Sequence, residues 1–201
     1  MTPQFFALLF TVYLLGSIPF AYLIARRAGV ADIRRVGDGN PGGKNVYHHV
    51  GRGAGIAAAL LDGGKGTFAL LLARSLGWPE PALLWVGAAV VAGHDWSLFL
   101  HLHGGQGMAT TVGVLLVLLP AETLAALGIL AAMLWLSRNW DLACGTGFAS
   151  LPVTAWWTGH PDYVIAYTIV LLPLIALRKH IQDESKTPLR SRSNGMSHLR
   201  P

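Results

Sequence analysis

Long apolar runs alternate with short polar or glycine-rich breaks along the chain, at residues 5–25, 54–76, 81–100, 105–120, 121–137, 142–158 and 161–177. A helix needs about 20 predominantly apolar residues to cross hydrocarbon, and the first run has that length. The pattern predicts an all-α polytopic membrane protein of about seven transmembrane helices. Composition agrees: 53% of residues are hydrophobic and 12% charged, against about 25% charged in an average soluble domain. Residues 1–182 read as one integral-membrane domain. Residues 183–201 are polar, basic and aperiodic, the signature of a disordered tail.

Charge placement sets the topology. Arg26, Arg27, Arg34, Arg35, Lys44 and Arg52 follow the first run, and Arg178, Lys179, Lys186, Arg190, Arg192 and Arg200 follow the last. The positive-inside rule puts both groups in the cytoplasm. An odd number of spans with the N-terminus outside satisfies both, and seven leave only Arg74 outside. The basic pI of about 9.7 then reflects attraction to an anionic leaflet rather than to nucleic acid. The N-terminus has no basic leader and too long an apolar run for a cleavable signal. The single cysteine, Cys144, excludes an intrachain disulfide.

Polar residues inside this pattern mark candidate chemistry. Asp62 and Lys65 interrupt the second run, although a charge in hydrocarbon costs about 2.5–3.5 kcal/mol on the lenient insertion scale. Their three-residue spacing places them on one helix face, where they can neutralise each other. Gly55, Gly63, Gly64 and Gly66 around them would admit another backbone. The pair is either a packing device between helices or a site in which Lys65 faces an anionic substrate and Asp62 orients it.

A second cluster runs from Gly37 to Asn45, with four glycines and Pro41. It is either a breaker-rich turn or a loop whose amides converge on an anion. The third holds Gly93-His94-Asp95 and Gly104-Gly105-Gln106-Gly107. His94 is either a general base or an interhelical hydrogen-bonding group. The glycines precede the apolar run from Met108, an arrangement that favours phosphate at a helix N-terminus. His101 and His103 lack a carboxylate or cysteine at metal-site spacing, so no metal is expected.

In this order, these clusters resemble the acyl-phosphate-dependent glycerol-3-phosphate acyltransferases of the PlsY type. The resemblance rests on Gly16-Ser17-Ile18-Pro19-Phe20 through Arg26, Asp32-Ile33-Arg34, Gly39-Asn40-Pro41-Gly42 and Asn45-Val46. Asp62-x-x-Lys65-Gly66, Gly93-His94, Phe99-Leu100 and Gly104-Gly105-x-Gly107-x-Ala109-Thr110 complete it. It implies a seven-span protein of the bacterial inner membrane that transfers a fatty acyl group from acyl-phosphate to glycerol-3-phosphate, without cofactor. The oligomeric state is not implied. Lys65, Asp62 and His94 become candidate catalytic residues. Asn40, Gly42, Lys44, Asn45, Gly104, Gly105 and Gly107 become candidate substrate-binding residues.

Several positions depart from the family pattern. Asp38 stands for a serine, Gly43-Lys44 for Ala-Thr, His48 for an arginine and Gln106 for a lysine. Asp141 and Cys144 stand for two serines, and the terminal His-x-x-Asn-Ile is absent around His180. Two cations are lost and two acids gained. At about 1.5–3 kcal/mol per charge-assisted hydrogen bond, phosphate binding would weaken by roughly two to four powers of ten. Three readings follow: a rewired enzyme using Lys44, the same scaffold with another acceptor, or a silent paralogue that binds lipid or regulates a membrane enzyme.

Overall fold

The computed structural model describes residues 2–184, and the expected tail from residue 185 onward lies outside them. Residues 183 and 184 continue the last helix. The described residues form nine α-helices: α1 (Pro3–Ser17), α2 (Phe20–Arg27), α3 (Gly43–His49), α4 (Arg52–Ser75), α5 (Glu80–Asp95), α6 (Met108–Leu118), α7 (Pro120–Ser137), α8 (Trp140–Trp157) and α9 (Asp162–Glu184). Each expected apolar run contains helix. Four stretches are long and apolar enough to cross a membrane: Pro3–Arg27, Arg52–Ser75, Glu80–Leu100 and Pro120–Ser137. The run at 105–120 begins with an irregular loop, and α6 itself has 11 residues, a rise of about 16 Å.

The first run is not one continuous rod. Ile18 and Pro19 are extended or irregular between α1 and α2, because proline cannot donate the hydrogen bond that would continue the helix. The buried Ser17 is held from across the chain at this break. Its carbonyl accepts from Ser97 Oγ, and its hydroxyl accepts from the Leu98 amide.

Packing is governed by small residues. α4 lies along α6 and α1 along α5. A Cβ on Gly113 would collide with the Gly63 carbonyl, and one on Gly66 with the Thr110 carbonyl. Such backbone-to-backbone approach is available only to glycine. Gly113→Ala should therefore cost about 1–3 kcal/mol as overpacking. Gly128→Ala on α7, which faces open space, should not. Thermal unfolding of both variants in detergent checks this, and equal midpoints would refute it. Val12, Leu70, Val86, Val90, Val114 and Leu115 fill the core these helices share.

A smaller cluster of Ala21, Ala25, Ile33, Val46 and Ala58 joins α2, α3 and α4. Between α2 and α3, Asp32 caps the short turn Ile33–Arg35 and pairs with Arg34 at 2.8 Å. The Arg34 hydrogen bond holds the Asp32 carboxyl below the usual carboxylate range. Arg34 also donates to the Leu100 carbonyl, tying this connection to the one after α5.

Candidate active site

Asp62 and Lys65 sit in the middle of α4, where their three-residue spacing does bring them together. Lys65 Nζ lies 2.8 Å from Asp62 Oδ1, with both side chains about 2% exposed. The ammonium also donates to the Ile18 carbonyl at 2.9 Å and lies 5.8 Å from the Phe20 ring. The break at Pro19 thus forms the receptor for Lys65. His94, in the last turn of α5, places Nδ1 3.4 Å from Asp62 Oδ1. Its Nε2 packs against Gly105, so closely that a Cβ there would collide.

Beside this triad is a cavity of about 920 Å³ walled by α3, α4, α6, α7 and α8. Asp62 and His94 line it; Lys65 does not. Lys65 was expected to face a substrate; in the structure it stands behind Asp62 rather than in the cavity wall. Its charge is spent on Asp62 and the Ile18 carbonyl, and Asp62 is the carboxylate in the cavity wall.

The cavity is chemically divided. Lys44 and His48 of α3, Gln106 and Gly107 before α6, and Arg138 and Trp140 at the α7–α8 turn surround one part. Leu134, Leu130 and Leu127 descend α7 away from Arg138, and Leu60, Leu116 and Phe148 line the same cavity. From Arg138 to Leu127 the helix rises about 16 Å. Lys44 Nζ lies 5.5 Å from the centre of the Trp140 ring, a cation–π contact that restrains an otherwise flexible side chain. Arg138 adopts φ 54° at the end of α7, next to Asn139, which caps α8 through the Asp141 and Leu142 amides. That tight reversal places Arg138 at the rim of the cavity.

Other expected ligands are placed differently. Asn40 and Gly42 line the cavity, and Asn40 is buried. Gly43, Lys44 and Asn45 belong to the first turn of α3 rather than to the loop, with Gly42 extended as its N-cap. Asn45 Nδ2 donates to the Ile33 and Val36 carbonyls at 3.1 and 2.8 Å, so its amide closes the preceding loop and is absent from the cavity wall. Gly107, at φ 67°, caps α6 and lines the cavity. Gly104 and Gly105 do not offer their amides to it. These donate at 3.1 Å to the Asp95 and His94 carbonyls, satisfying acceptors that a helix C-terminus otherwise leaves unmade.

The two acids expected to oppose phosphate are both exposed. Asp38 accepts from the Asn40 amide. Neither Asp38 nor Asp141 belongs to the cavity wall. Trp140 and His48 border the space without filling it. Sequence reasoning did not single out Arg138 as a ligand. Its signal was a lone cation between two apolar runs, immediately before a capping asparagine.

The arrangement suits an amphiphile with an anionic head and an apolar tail, and known proteins agree. The family model for glycerol-3-phosphate acyltransferase matches residues 6–186. Glycerol-3-phosphate acyltransferase 1 of Dehalococcoides mccartyi is 38% identical over 192 residues, covering 90% of this chain and 89% of that protein. The enzyme of the same name from Desulforudis audaxviator is 40% identical over 168 residues, 84% of each chain. The crystal structure of PlsY, an integral membrane glycerol 3-phosphate acyltransferase in its glycerol 3-phosphate form, superposes with TM-score 0.82 at 33% identity over 94% of both chains. By its fold and along nearly its whole length, the chain belongs to the glycerol-3-phosphate acyltransferase family.

Proposed function

We propose that this protein is a membrane acyltransferase that moves a fatty acyl group from acyl-phosphate to the 1-hydroxyl of glycerol-3-phosphate. The observation that carries this reading is the divided cavity, with Lys44 and Arg138 at its polar part and a leucine-lined wall running from Arg138 down α7. Anionic headgroups bind beside the two cations, and the acyl chain lies against Leu134, Leu130 and Leu127.

Asp62 accepts a hydrogen bond from the attacking hydroxyl, and Lys65 and His94 hold Asp62 in place. The hydroxyl oxygen bonds to the acyl carbon, and the bond from that carbon to the phosphate oxygen breaks. Phosphate leaves with the electron pair, and the hydroxyl proton passes by way of the Asp62 carboxylate to it, giving lysophosphatidic acid. The mixed anhydride is already activated, so alignment and preorganised donors supply the acceleration. Asn40, Gly42 and Gly107 contribute cavity wall to the headgroup region, and Gly104, Gly105 and Asn45 hold its supporting loops.

The protein spans the bacterial inner membrane seven times as one domain over residues 1–182, N-terminus outside and C-terminus in the cytoplasm. The two basic groups flanking the first and last runs support that orientation.

The test is phosphate release by protein in lipid nanodiscs given palmitoyl-phosphate, with and without glycerol-3-phosphate. Release that requires glycerol-3-phosphate and yields lysophosphatidic acid is expected. Release independent of it would assign another acceptor. No release from folded protein would mean a silent paralogue.

A further inference from the structure

Arg178 belongs by sequence to the basic group after the last apolar run, where a solvated, lipid-facing role is the simple expectation. The structure buries it, at 8% exposed. From α9 its guanidinium donates to the Asp95 carbonyl at 2.6 Å, to Gly105 at 3.2 Å and to Gly104 at 3.4 Å, and it lies 5.4 Å from the Trp96 ring centre. Burying a cation is costly unless its donors are met, and a planar fork reaches carbonyls from two separated nitrogens, Nε and Nη2, where lysine has only one. Arg178 itself is outside the cavity wall, but the next residues along the clamped loop, Gln106 and Gly107, are in it.

The Gly104 and Gly105 amides already fold back on the end of α5. Arg178 grips the outer side of the same segment, so α5, the loop and α9 are fixed together. We propose that Arg178 is a positioning residue: from α9 it clamps the Gly104–Gly105 segment and thereby sets where Gln106, Gly107 and the start of α6 meet the acceptor headgroup. This rests on the proposed reaction for its kinetic consequence, but not for the clamp itself.

Arg178→Lys and Arg178→Ala in nanodiscs test it by two readouts. Steady-state kinetics should show KM for glycerol-3-phosphate raised roughly tenfold or more, with a smaller change in kcat. Binding must then itself order the loop that Arg178 held, at a cost of about 1.5–3 kcal/mol, that of one charge-assisted hydrogen bond. Free guanidinium should restore part of the loss in Arg178→Ala, and ammonium should not. Hydrogen exchange should accelerate at residues 104–107 in both variants and stay unchanged in α4. Loop exchange and KM both at wild-type values in Arg178→Lys would overturn the proposal, as would faster exchange spread equally over α4. If the loop loosens as expected while the wild type shows no dependence on glycerol-3-phosphate, the clamp stands and the proposed acceptor fails.

Discussion

Lys65→Ala is expected to abolish acyl transfer and to destabilise the fold by about 3–5 kcal/mol, the usual cost of removing one partner from a buried ion pair. The large effect has a specific source. Asp62 keeps its carboxylate in a wall of α4 with about 2% of the side chain exposed, and Lys65 is its ion-pair partner at 2.8 Å. His94, at 3.4 Å, is too far to take the place of the ammonium. The Ile18 carbonyl would lose its donor in the same step, loosening the α1–α2 break. Stability and chemistry are separable with the double variant Asp62→Asn, Lys65→Met, which leaves no unpaired charge. Replacing a buried pair by neutral groups of similar volume is often neutral or stabilising, so thermal unfolding should return close to the wild type. Activity should stay absent, because an asparagine amide can accept the hydroxyl's hydrogen bond but cannot take its proton. Wild-type turnover in the double variant would remove Asp62 from the reaction.

Much of this was legible in the sequence, and what was hidden has physical causes. Helix positions followed from apolar runs, and the Asp62–Lys65 contact followed from helical spacing alone. Which of the two faces the cavity did not, because Lys65 is claimed by a carbonyl 47 residues away that is accessible only through the break at Pro19. The same limit applies to the glycine loop. Its composition marks a segment with available amides, yet two of them are taken by the end of α5, a tertiary use no local pattern encodes. Asn45 sits in a recognisable motif, but its amide serves Ile33 and Val36. Arg178 reads in sequence as one more basic residue near a membrane surface, and only the approach of α9 to Trp96 and the loop distinguishes it. Counting substituted charges pointed to a weakened phosphate site. That count could not register that Asp38 and Asp141 are exposed or that Arg138 is delivered to the cavity by the α7–α8 reversal.

Lys44→Ala is expected to raise KM for glycerol-3-phosphate by about 10- to 100-fold, the equivalent of one charge-assisted hydrogen bond, with little change in thermal stability. Lys44 is on the short helix α3 and makes its recorded contact with Trp140 rather than with a carboxylate, so removing it leaves no buried charge behind. Trp140→Leu should weaken the acceptor less, by about two- to fivefold, because the cation–π contact at such a site contributes only about 0.5–1 kcal/mol. The decisive comparison adds Gln106→Lys to Lys44→Ala. Gln106 lines the same cavity on the loop before α6, so a cation there should recover much of the lost affinity from a different segment and without Trp140. Recovery would mean that what the cavity needs is positive charge, which several wall positions can supply. An unchanged KM in Lys44→Ala would instead leave Arg138 as the acceptor's main cation. Lost affinity that Gln106→Lys fails to restore would show that Lys44 acts through its geometry over Trp140, a requirement that a charge elsewhere in the wall cannot meet.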